Sequence, residues 1–340
     1  MTTARKVLLI VATALVVAGA VIAGSAFALA GGDMQNLSND DRAWARQTQE
    51  IPAEDVAAIT SIEAHDDTEE VRIEGYDGDS IRIEYWEHQR RGVSISQDGS
   101  TLSVDSSTAA GPFIGILASQ PEDHSTCVYV PHDFEGSIFA SAESENASIA
   151  GFDHLDDAVV ETDGGFAIAN SFAAKSARLE SSNGGVQCNI VTVDGTLQAN
   201  ATGGGDIVMD SVLADVVRAD TTNGCISMAQ TSAHSSLQAT SKDGYVNLYY
   251  TDAPETIVTS DNGDATLAMP GDRMDYRIDA RADNGVVTGQ TGSSFDDSAT
   301  RLIAVATTNG NVSLAFDMLD IDESGTVYRG EALEQLIARQ

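Results

Sequence analysis

The residues best spaced for chemistry lie near the C-terminus. Asp320, Asp322, Ser324, Thr326, Tyr328 and Glu331 occupy positions 1, 3, 5, 7, 9 and 12 of a twelve-residue loop, with Gly325 at position 6 and Val327 at position 8. That is the spacing of an EF-hand calcium loop, in which hard oxygen donors wrap a hard cation, the glycine takes the sharp turn and the last glutamate offers two oxygens. Calcium is thus the one cofactor the sequence suggests, although nothing in it requires one. Residues 332–338 read as an exiting helix. The entering helix is missing, because residues 312–316 alternate like a strand, and no second hand occurs in the chain. The plainer reading is an acidic turn leading into a terminal capping helix, which a bound calcium would pin.

Elsewhere the chemistry is sparse. His124 and Cys127 stand three apart and could share a metal, but an incidental pair in a loop explains them as well. The histidines at 65, 88, 124, 132, 154 and 234 form no ligand spacing, and no nucleophile elbow, phosphate loop or His-Glu-x-x-His helix occurs. Cys127, Cys188 and Cys225 are an odd number, so at least one thiol stays unpaired. With 52 acidic against 18 basic residues and a formal charge of -34, any two carboxylates can be paired on paper as acid and base. The same charge excludes a nucleic-acid partner, since phosphate binding needs clustered Lys and Arg.

The elements that would position these groups repeat about every twenty residues. Asp163-Gly164, Asn183-Gly184, Gly204-Gly205, Asn223-Gly224, Asp243-Gly244, Asn262-Gly263, Asn284-Gly285 and Asn309-Gly310 mark the period. After the turns come alternating apolar pairs: Phe166 and Ile168, Val186 and Cys188, Ile207 and Met209, Ile226 and Met228, Val246 and Leu248, Ala265 and Leu267, Val312 and Leu314. Before them come Leu197 and Ala199, Val217 and Ala219, Leu237 and Ala239, Ile278 and Ala280, Ile303 and Val305. Alternation is the signature of a strand with one buried face. Two short strands cannot bury that face alone, whereas successive units stacked in parallel close a continuous core. The prediction is an all-β chain: a parallel β-solenoid of about 20-residue coils, with Leu197, Val217 and Leu237 one above another. A meander of Asn-Gly hairpins is the rival, but hairpins would not hold one residue class at one phase of the period. The glycines are expected to supply positive φ at the corners.

Residues 58–139 read as capping strands over residues 140–316, the coils, because 71–74, 81–84, 93–96 and 101–104 alternate strictly and are separated by Asp-Gly turns. Residues 31–57 form a polar linker with a short helix expected at 41–49, and residues 317–340 carry the EF-hand-like loop and C-terminal helix. At the other end, Arg5 and Lys6 precede an uncharged apolar run over 7–30, long enough to cross a bilayer as one transmembrane helix with the bulk of the chain outside. Ala28-Leu29-Ala30 fits a signal-peptidase site, so secretion after cleavage is the alternative to a retained anchor.

The order of anchor, alternating strands with Asp-Gly turns, the strand Val128-Tyr129-Val130-Pro131 and the repeated Asn-Gly-x-Val-x-Leu units resembles the bacterial putative adhesin family of β-strand-repeat proteins, over roughly residues 58 to 316. The resemblance implies an extracytoplasmic solenoid, often tethered by one transmembrane helix, with roles in surface adhesion or envelope stress systems, and it carries over no catalytic residue; a surface protein or glycan is the expected partner. Two functions follow as expectations. One is a non-catalytic, membrane-tethered scaffold presenting an acidic face. The other is a polysaccharide-active enzyme, which would need several of Lys175, Arg178, Arg218, Lys242, Arg273, Arg277, Arg281 and Arg301 to converge on one groove opposite carboxylates.

Overall fold

The computed structural model describes residues 44–87, 91–108, 124–289 and 299–317, with scattered positions between 5 and 28. The expected calcium loop at Asp320, Asp322, Ser324, Thr326, Tyr328 and Glu331 lies outside the described residues, as does most of 7–30. The described positions of that apolar run are helical and exposed. No described helix is long and apolar enough to cross a membrane.

The described residues are mostly strand, and the strands pair mainly in parallel. Each coil contributes one strand to each of two ladders. Leu197 faces Val217 and Val217 faces Leu237, each fully buried, so aliphatic side chains continue from coil to coil in one interior. Each such Leu, Ile or Val contributes about 1.5–3 kcal/mol by leaving water. A shorter third side runs through Phe172, Val191 and Val212. The predicted inward pairs hold from Val186 onward. They fail at Phe166, which is exposed, and at Ile168; Ala167 and Ala169 point inward instead, opposite Val186 and Cys188. The turn before them has the same length as the next one, but its Asp163-Gly164 pair stands one residue earlier, so that Gly165, not Gly164, aligns with Gly184.

Stacking does not follow chain order at either end. Residues 61–76 lie between strands Thr101–Thr108 and Thr126–Pro131 on one side and 137–150 on the other, and 301–317 lie between 255–270 and 276–289. The strands at 61–66 and 71–76 are therefore coils in register with the rest, and covering the N-terminal end falls to antiparallel strands. Arg91–Asp98 pairs with Thr101–Thr108, and Ile81–Glu87 pairs with both Thr126–Pro131 and Ala45–Ile51. Ala45–Ile51 is a strand where the sequence suggests a helix at 41–49. Pairing with Ile81–Glu87 supplies its backbone partners and outweighs local preference.

The role expected of the turn glycines also changes. Among these described turns only Gly204 has a left-handed φ, 133°. The glycines are needed for contact between coils: a Cβ on Gly184, Gly205, Gly224, Gly244 or Gly263 would overlap the carbonyl oxygen of the corresponding glycine in the adjoining coil. The Asn residues beside them bond along the stack, with Asn309 Nδ2 donating to Asn262 Oδ1 (2.7 Å) and Asn284 Nδ2 to Asn309 Oδ1 (2.9 Å). Positive φ belongs to another corner, occupied in successive coils by Gly151, Ser171, Ile190, Ser211, Gln230, Tyr250 and Gly271. Ile190 sits there at φ 54° although it is β-branched and exposed.

Two substitutions separate these corners. Gly224→Ala should lower stability by about 1–3 kcal/mol through backbone overlap, while Ile190→Gly should raise it by about 0.5–1 kcal/mol by relieving strain. Gly92→Ala, which meets nothing, should stay within about 0.5 kcal/mol. Urea titration of the three variants checks this, and a neutral Gly224→Ala would contradict the proposed contact.

Candidate functional site: a buried arginine clasp and an acidic groove

One column of side chains organises the glycine corner. Thr162, Ser181, Thr221, Ser241 and Ser260 are buried polar residues at the same phase of their coils. Ser181 Oγ accepts from Gly184 N–H (2.9 Å) and donates to Gly165 O in the preceding coil (2.9 Å). Thr221 does the same with Gly224 and Gly205, and Ser241 with Gly244 and Gly224. Each hydroxyl thus closes its own turn and ties it to the neighbour, so its burial leaves neither donor nor acceptor unpaired.

In coil 61–76 a carboxylate takes the hydroxyl's place. Asp66 is fully buried, and its Oδ1 accepts from the N–H groups of Thr68 (3.1 Å) and Glu69 (3.0 Å), the same closure of the turn. Its Oδ2 accepts from Thr126 Oγ1 (3.0 Å) and pairs with Arg91, which is also buried. Arg91 Nε donates to Ser106 Oγ (2.9 Å), Nη1 to the carbonyls of Trp86 and His124 (3.1 Å each), and Nη2 to Thr126 Oγ1 (2.9 Å). One guanidinium therefore holds the covering strands, the strands Thr101–Thr108 and Thr126–Pro131, and coil 61–76 together. Beside it Glu69 pairs with His124; burial pushes the Glu69 carboxyl up, against the lowering pull of His124 and Arg91. His124 thus has a carboxylate partner. Cys127 Sγ lies 3.3 Å from Ser125 Oγ.

A second clasp holds the other exchanged coil. Arg301 Nη1 donates to Tyr276 Oη (2.9 Å), Nη2 pairs with Asp252 (2.8 Å), and the Tyr276 hydroxyl donates to Pro270 O (2.6 Å). Burial drives the Tyr276 phenol up to about 12 despite the opposing Arg301 charge.

A hollow of about 400 Å³ is lined by Glu135, His154, Asp156, Lys175 and Asp194, and it adjoins another of about 590 Å³ beside the short helix Ala53–Val56, sharing Glu135 and Asp156. Lys175 bonds Asp156 across neighbouring coils in the open. The groove offers carboxylates to a cationic group but brings only one of the eight repeat cations to its wall. Arg178 pairs with Glu161 and Glu180, Arg281 with Asp279, and Arg218, Lys242 and Arg277 are exposed. Among the described residues no group of three or more His, Cys, Asp and Glu side chains could hold a metal ion. All three cysteines are free thiols, and burial raises Cys188 to about 12.

The family model for Toastrack DUF4097 matches residues 59–315. The chain belongs to this family. The matched span runs from just before strand Ser61–Asp66 to within strand Val312–Asp317, so the Toastrack unit coincides with the stack of coils. No curated protein matches the chain. Among solved structures it is similar to a putative adhesin from Parabacteroides distasonis ATCC 8503, at 12% identity over 81% of this chain and 98% of that one (TM-score 0.41). A putative adhesin from Parabacteroides merdae ATCC 43184 aligns at 11% identity over 81% and 98% (TM-score 0.37). A putative lipid binding protein from Parabacteroides distasonis ATCC 8503 aligns at 12% over 79% and 96% (TM-score 0.36).

The clasp and the buried thiol of this Toastrack chain give two measurable expectations. Arg91→Met leaves Asp66 buried without its counter-charge and should cost about 3–5 kcal/mol; adding Asp66→Asn should recover part of the loss. A double variant no more stable than Arg91→Met would refute the coupling. Cys188 and Tyr276 have folded pKa values raised from 9.0 and 10.0 to about 12. Their contribution is complete below the unfolded values and is lost as pH climbs through 12, by about 1.4 kcal/mol per pH unit for each group. Thermal scans between pH 9 and 12 should show a shallower decline for Cys188→Ala than for the unsubstituted chain.

Proposed function

We propose that this Toastrack protein is a non-catalytic, membrane-tethered scaffold outside the cytoplasm, whose stacked coils present a rigid acidic surface to a protein or glycan partner. The observation that carries the reading is the fate of the basic residues. Lys175, Arg178, Arg281 and Arg301 each meet a carboxylate locally, at separate places along the stack. A polysaccharide-cleaving site would need them gathered opposite acids in one cleft. The tether rests on the apolar run at 7–30 behind Arg5 and Lys6.

Calcium binding by Asp320, Asp322, Ser324, Thr326, Tyr328 and Glu331 belongs to the same reading as a structural pin for the C-terminal segment. Fractionation of an epitope-tagged chain, with N-terminal sequencing, should place it among integral membrane proteins with residues 7–30 retained; a soluble chain beginning at Gly31 would replace the tether with secretion. In the same preparation, calcium should raise the melting temperature of the unsubstituted chain and leave that of Glu331→Ala unchanged. Equal shifts in both would remove the metal loop.

A further inference from the structure

The two ends of the stack are finished differently. At the N-terminal end the outermost strands of the stack, Thr101–Thr108 and Thr126–Pro131, are covered by the antiparallel strands Arg91–Asp98 and Ile81–Glu87. At the other end the outermost coil is 276–289. Its strand Tyr276–Ala282 pairs with Arg301–Thr307, and Val287–Gly289 pairs with Val312–Asp317. Among the described residues nothing pairs with their outer edge. A bare parallel edge is a template for another strand, and here it borders core that is incompletely closed, since Ala280, Ala282 and Val287 are only half-buried.

The side chains along this edge name the strand that would fit. Arg277, Asp279, Arg281 and Asp283 alternate in sign at two-residue spacing, and all are exposed. Laid antiparallel on a copy of itself about a two-fold axis at Ala280, the strand places Asp279 opposite Arg281 twice and brings Arg277 towards Asp283, the first residue beyond the strand. Each of these outward positions then meets or nears an opposite charge, while Ile278 meets Ala282 and Ala280 meets Ala280 on the inward side. Directly opposed residues of an antiparallel pair are the ones whose side chains interact, and like charges there are unfavourable. Within one chain Arg281 already bonds Asp279 (2.8 Å), but both are largely exposed, so that pair is weak and free to be exchanged.

We propose that the chain forms a closed two-fold dimer by pairing strand Tyr276–Ala282 edge to edge with the same strand of a second copy. The interface is isologous, so each copy's Tyr276–Ala282 edge is used up by the other and this pairing closes at two. The axes of the two stacks then run end to end. The dimer itself does not require a membrane.

Sedimentation of the full chain in detergent tests the pairing with two charge variants. Asp279→Arg sets two arginines opposite each other across the dimer axis, and Arg281→Asp sets two aspartates there. Each variant alone should therefore dimerise about tenfold or more weakly than the unsubstituted chain. Mixed in equal amounts, the two variants face each other with opposite charges and should recover dimers. Loss of the Arg281–Asp279 bond within a chain would not be repaired by mixing, so recovery is specific to pairing between chains. An unsubstituted chain that remains monomeric overturns the proposal, as does a dimer indifferent to both substitutions or a mixture no better than its components. A monomer that pairs only after residues 318–340 are removed also overturns it, by showing that the chain's own C-terminal segment occupies the edge.

Discussion

Coil-to-coil contact at the glycine corner is the constraint on which the architecture depends. Backbone lies directly on backbone there, with a carbonyl oxygen of one coil against the Cα of the next. Any side chain at that point would wedge the coils apart and interrupt both ladders. The buried hydroxyls of Ser181, Thr221 and Ser241 convert the contact into a hydrogen-bonded one, satisfying the turn and the neighbouring carbonyl together. In a core with few aromatic residues, repeated small contacts replace the large ones of a globular domain. The cost of error is correspondingly local, because each coil touches little beyond its two neighbours.

The clasps follow from the same logic at the points where stacking departs from chain order. Coil 61–76 must accept a neighbour made later in the chain, and its corner carries Asp66 where Thr162, Ser181, Thr221, Ser241 and Ser260 stand in other coils and alanine stands at 142 and 201. A carboxylate reaches farther and has charge to satisfy, so it recruits Arg91 from the covering strands and Thr126 from the neighbouring coil. Buried ion pairs are weak contributors to net stability but strong penalties against being broken. That property suits a position where the wrong neighbour must be refused. Arg301 holds Tyr276 and Asp252 in a similar way, with its guanidinium also 5.4 Å from the centre of the Tyr276 ring.

Much of the fold is legible in the sequence because burial writes itself at period two. Val186 with Cys188, Val217 with Ala219 and Ile303 with Val305 all point inward as alternation demands. What alternation does not encode is which coil lies beside which. Ile278 and Ile303 satisfy the same pattern in either order, and only the completed ladders place 301–307 against 255–260. The strand at 45–51 was illegible for a related reason, since an exposed polar edge strand carries no apolar period. The clasp left a fainter trace. Asp66 stands three residues before Glu69 just as Ser181 stands before Gly184, but the hydroxyl column has to be recognised before a carboxylate in it can be noticed. The acidic groove gave no signal, because in so acidic a chain its members resemble every other surface residue.

Exchange of coils also dictates an order of events during synthesis. Residues 276–289 leave the ribosome before residues 301–317, yet they have no seat until the later segment has docked on 255–270. The nascent chain must therefore hold one finished coil in waiting, and the growing face of the stack stays open until nearly the last described residue has emerged. A solenoid assembled strictly in the order of translation would close one coil at a time; this one closes its final two together.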